Sequence, residues 1–178
     1  MAKTTLERKE AARASAGGVL AGLISGLFLA ALLVVSMAMK GQSIWPAFKG
    51  AAAPFFGSRV MAPGFDAAPV LAGTVAHFAI SAGWGWLFAV IFYGLSRPAT
   101  VLAGAIWGFV VWLGMHKVLL PLLGLGAMAR AAPAGKAILE HVLFGLVLSL
   151  AFLPYQRRVV DRWPATFGRR SPRITAPR

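Results

Sequence analysis

Four apolar blocks, at 17–39, 70–95, 99–123 and 134–154, dominate this chain and restrict what it can fold into. Each is close to or above the ~20 residues that a helix needs to span ~30 Å of hydrocarbon. Sharp polar or Pro-containing stops bound them: Lys40, Ser96-Arg97-Pro98, Arg130 with Pro133, and Tyr155-Gln156-Arg157-Arg158. Hydrophobic residues make up 58% of the chain and charged residues only 13%, against about half and a quarter in a soluble domain. The blocks predict an all-α integral membrane four-helix bundle in a single domain. A segment 1–16 leads in, an apolar loop 40–69 joins the first two helices, and a basic tail 155–178 closes the chain. The first block is too long for a typical signal-peptide apolar region and no convincing small-x-small cleavage site follows it, so it reads as a retained helix.

Charge sets the orientation. Eighteen Lys and Arg give a net charge of +13. Twelve fall in the N-terminal segment, the 96–98 turn and the tail, and six fall on the opposite side. That asymmetry places both termini in the cytoplasm by the positive-inside rule. Arg157, Arg158 and Arg162 would touch anionic lipid headgroups. The distribution favours topology and lipid contact over nucleic-acid binding.

The chain repeats itself. Val19-Leu20-Ala21-Gly22-Leu23-Ile24-Ser25-Gly26 matches Val101-Leu102-Ala103-Gly104-Ala105-Ile106-Trp107-Gly108 at six of eight positions. Pro69 stands eight residues before His77, and Pro133 eight before His141. The expectation is two parallel two-helix repeats, each a small-residue helix followed by a Pro-led, His-bearing helix, related by an axis along the membrane normal. Gly18, Gly22, Gly26, Gly104 and Gly108 form grooves for close helix approach, either between copies of the chain or inside the bundle. The internal reading pairs the first helix with the third. A homo-oligomer or a larger membrane complex remains the other reading. Trp84, Trp86, Trp107 and Trp112 lie inside the blocks, mostly as packing residues. The apolar, Pro-broken 40–69 loop reads as an interfacial segment or a lid over the bundle mouth.

Three histidines, His77, His116 and His141, lie within the apolar blocks. An ionisable residue at that depth is costly to hold and marks a candidate site. Counting 1.5 Å per residue puts all three within a turn or two of one level, in the outer half. Glu140 adjoins His141 and can pair with Lys136 at i, i+4. Four uses compete. The imidazoles could be interhelical hydrogen-bond partners of Glu140, Ser81 or backbone carbonyls. With Glu140 they could bind a divalent metal such as Zn, Fe or Cu. His77 and His141 could hold haem b. His and Glu140 could form a proton or ion pathway. No cysteine is present, and no Gly-x-Ser-x-Gly, P-loop or His-Glu-x-x-His motif occurs, so catalytic residues are not expected.

Leu102-Ala103-Gly104-Ala105, then His116-x4-Pro121-Leu122-x-Gly124-Leu125, then Glu140-His141 resemble the YagU-like family of small bacterial inner-membrane proteins. His77 entering the second helix also fits. In that family's pattern the carboxylate and the final His stand a few residues apart, whereas Glu140 and His141 are adjacent. The family has no settled biochemical activity. The resemblance therefore implies architecture, a bacterial inner-membrane location, and family positions at His116 and His141. The leading expectation is a non-enzymatic membrane protein, an accessory subunit or stress-related factor, that needs no cofactor. A haem or metal redox protein and a small proton or ion transporter are the alternatives.

Overall fold

A computed structural model describes residues 2–131 and 133–156. The chain is an all-α four-helix bundle. Its elements are α1 (Ala2–Met39), α2 (Trp45–Lys49), α3 (Ala53–Phe56), α4 (Ala67–Phe92), α5 (Arg97–Leu113), α6 (Leu120–Leu122), α7 (Gly126–Ala131) and α8 (Ala134–Phe152). Four stretches are long and apolar enough to cross a membrane: Glu7–Met39, Ala67–Phe92, Arg97–Leu122 and Ala134–Tyr155. The first helix starts well before residue 17. Nothing in 2–16 breaks it, because that segment holds no Gly or Pro and several strong helix formers. The tail arginines Arg157, Arg158 and Arg162 lie outside the described residues.

A short turn joins α4 to α5, with Gly94 at φ 97 inside it and Pro98 in the first turn of α5. Around the bundle, α1 packs on α4, α8 packs on α1, and α5 packs on α8. α4 and α5 meet mostly through long aromatic side chains.

The glycine grooves are internal, but they do not pair the first helix with the third. Each faces the His-bearing helix of its own repeat. A methyl group at Gly22 would run into Ser81 and Gly85, and one at Gly104 into Gly145 and Ser149. One at Gly26 would meet Ser81 and His77, and one at Gly108 would meet His141 and Val142. The sequence offsets carry Gly22 and Gly26 onto Gly104 and Gly108, and His77, Ser81 and Gly85 onto His141, Gly145 and Ser149. Both hairpins thus use the same contacts at the same positions. The reason is steric. Only a helix that offers its own small residues at four-residue spacing can enter a glycine groove, and the His-bearing helices supply them.

The two halves of the interior differ. Toward the α4–α5 turn, Phe88 and Phe152 are fully buried and pack with Phe92 and Trp107. Trp107 also meets Trp84 edge to face at 5.6 Å and donates Nε1–H to the Trp84 carbonyl at 3.3 Å. At this end Gln156 joins the repeats. Its Oε1 accepts from Gly94 N at 2.8 Å, and its Nε2 donates to Phe92 O at 2.9 Å and Thr100 Oγ1 at 2.8 Å.

The other end is capped. The 40–69 segment folds into α2, α3 and two 3-10 turns laid along α4. Gly73 lets the Phe48–Lys49 backbone approach α4 closely. A small core of Ala52, Ala53 and Val60 ties the cap to Ala72 and to Leu125 and Met128. Lys49 is only 1% exposed, and its ammonium donates to Ala62 O at 2.6 Å and Gly64 O at 3.1 Å. Backbone dipoles thereby hold the cap closed without a carboxylate.

Candidate functional site

Between the aromatic layer and the cap lies a cavity of about 90 Å³. All four long helices wall it, and Ala51 of the cap roofs it. His77, Ser81, Trp84, Met115 and His141 line it alongside aliphatic groups. The repeat explains why two imidazoles face one space. His77 and His141 hold equivalent positions on α4 and α8, and those helices lie diagonally across the bundle.

Both imidazoles have their tautomer set by a backbone carbonyl. A carbonyl oxygen only accepts, so the nitrogen facing it must carry the proton. His77 donates Nε2–H to Gly26 O at 2.9 Å, across the glycine groove. His141 donates Nδ1–H to Ala137 O at 2.8 Å, one turn back on its own helix. In the neutral rings, Nδ1 of His77 and Nε2 of His141 are left as bases. This is the second-sphere arrangement that prepares histidine to take a proton or a metal ion.

His116 reaches the same region from α5. A π-helical turn, Gly114–Leu119, interrupts this span just before Pro121. A proline ring crowds the carbonyl four residues back, here that of Lys117, and widening the turn relieves the crowding. The wide turn carries both Met115 and His116. Met115 lines the cavity, and His116 stands edge-on to His141 with ring centroids 5.1 Å apart. His116 Nδ1 is buried, and the imidazole lies within reach of the Trp112 backbone one turn back. Trp112 stacks on His116 from one turn back, and Lys117 Nζ sits 5.4 Å from the centre of the Trp112 ring.

Glu140 does not line the cavity. It pairs with Lys136 at 3.1 Å, as the i, i+4 spacing anticipates. Its adjacency to His141 turns it about 100° away around the helix. Among the described residues neither Glu140 nor Ser81 satisfies a histidine; carbonyls serve His77 and His141, and His116 has the Trp112 backbone one turn back as its polar neighbour.

Among the described residues no group of three or more His, Asp or Glu is placed to hold a metal ion. Haem does not fit either. Small-molecule pockets run from about 300 Å³ upward, the cavity is far smaller, and the Nε2 of His77 is engaged by Gly26. No family model, curated protein or solved structure matches this chain.

Sequence reasoning did not single out three residues that matter here. Lys49 looked like a loop cation, Gln156 looked like part of a polar stop, and Met115 looked like span filler. For Lys49 the available signal was a lone cation inside the apolar run Ala47–Ala53.

Proposed function

We propose that this chain is a non-enzymatic, multi-pass protein of the bacterial inner membrane, with both termini in the cytoplasm, whose histidine cluster takes up protons from the outer side. The Lys and Arg distribution supports the orientation, and the resemblance to the YagU-like family supports the location.

One observation carries the reading. His116, with a buried ring nitrogen, stands edge-on to His141, whose tautomer leaves one ring nitrogen without a proton. Protons can be exchanged along such a row without a metal or a substrate. The charged groups near the pair are Lys117 on the same turn and Glu140 and Lys136 on α8. His77 faces it across the cavity.

The aromatic layer supports a non-conducting reading. Phe88, Phe92, Trp107 and Phe152 fill the half toward the α4–α5 turn, so the cavity is blind on that side. A blind cavity that charges with pH suits a proton-responsive accessory or stress-related factor better than a conducting channel.

The test is histidine-selective NMR of the protein in detergent across pH 5–8, with proton flux measured in liposomes. The expected result is coupled titration of His116 and His141 in two steps, simplified to one by His116→Gln, with no flux above empty vesicles. Uncoupled titration of the two rings would sink the reading, and robust flux would replace it with transport.

A further inference from the structure

We infer that the cavity is a binding site for one soft monovalent cation, Cu(I) or Ag(I), held by the imidazoles of His77 and His141 and the thioether of Met115. The inference uses the same cavity as the proton reading but does not depend on proton uptake.

The donor set argues for the class of ion. Neutral imidazole and thioether are soft ligands that select Cu(I)-like ions, whereas carboxylates and carbonyls suit hard ions. These three side chains line one cavity and come from three different helices.

The imidazoles are prepared for it. Each has one N–H committed to a carbonyl, Gly26 O or Ala137 O, which leaves one nitrogen lone pair on each ring. Met115 supplies adaptability. Its unbranched side chain has three rotatable bonds, so it can move toward an ion between the rings. It sits on the π-helical turn, where irregular helix geometry concentrates at functional sites.

Charge argues for a single positive charge. The cavity walls are mostly apolar, and the nearest carboxylate, Glu140, is paired with Lys136 outside the cavity. The cost of removing an ion from water rises steeply with its charge, so a divalent ion without an anionic ligand is disfavoured here. Trp84 also lines the cavity, and an aromatic face attracts a desolvated cation. The volume of about 90 Å³ is enough for an ion.

The experiment is calorimetric titration of the purified full chain in mild detergent with silver nitrate in chloride-free buffer, with zinc as comparator. One silver ion per chain is expected, bound more tightly than zinc. Met115→Leu conserves volume and should weaken silver by at least about tenfold. Met61→Leu, which changes an exposed methionine of the cap, should leave it unchanged. His116→Gln should disturb the histidine titration and spare silver, which separates failure of this inference from failure of the proton reading. Absent silver binding, equal affinity in Met115→Leu, or tighter zinc would overturn it. If Met115→Leu does not fold, X-ray absorption of the Cu(I)-loaded wild type decides: a sulfur in the coordination shell supports the site, and a nitrogen-only shell overturns it.

Discussion

Gly26 accepts a hydrogen bond from His77 at 2.9 Å, and its counterpart Gly108 lies directly against the backbone of His141. Equivalent glycines thus lie against both histidine positions, although the His141 ring itself is held by Ala137 O. The small-residue grooves place the chemistry as well as pack the helices.

That coupling makes the grooves sensitive. Gly22→Val and Gly104→Val should each destabilise the bundle by about 1–3 kcal/mol or more, because the new side chains meet backbone that cannot yield. Gly83→Ala, where nothing lies within 4 Å, should cause no loss. Thermal unfolding in detergent reads all three, and a Gly104→Val protein as stable as wild type would contradict the packing described.

Gln156 is a polar clasp between the end of α8 and the α4–α5 turn. Replacing it with Leu keeps an apolar stem but abandons Gly94 N and Phe92 O. The expected cost is about 1–3 kcal/mol, with faster amide exchange at Gly94. Unchanged exchange there would show that the clasp does not hold the turn.

Lys49→Met should loosen the cap while leaving the four long helices intact. The substitution removes the donor to Ala62 O and Gly64 O and keeps the apolar stem. Limited proteolysis should then cut faster within 57–66. Protection equal to wild type would mean that the Ala52, Ala53 and Val60 core suffices on its own.

His116→Phe should hold stability within about 1 kcal/mol of wild type, because it removes a buried ring nitrogen whose polar neighbour is the Trp112 backbone of its own turn. The aromatic stack on Trp112 is retained. A variant of that stability that loses the coupled His141 titration would identify His116 as a group kept for function. A marked drop in Tm would instead assign it a structural role.

Much of the fold was legible because its signals are local. Block length against bilayer thickness gives the four spans, and Ser96-Arg97-Pro98 marks the break between α4 and α5. The Pro-broken apolar composition of the 40–69 loop was readable as an interfacial segment or a lid, without deciding between them. The way the cap is held was not readable, since the carbonyls that receive Lys49 lie 13 and 15 residues away and only the folded cap brings them together. The repeat was visible in Val19–Gly26 and Val101–Gly108, but the partner of each groove was not. A glycine stripe records that some helix approaches closely, and it does not record which one.

The candidate site divides the same way. His77, His116 and His141 stand out in the sequence because ionisable residues are rare in apolar spans, and counting residues along each helix brings them to one level. Helical rotation and interhelical packing decide the rest. They turn Glu140 away toward Lys136, bring Met115 into the cavity through the π-helical turn, and set His116 against His141. Depth follows from a one-dimensional count along each helix. Facing depends on how four helices rotate against one another, and that is set by glycine contacts between segments far apart in the chain.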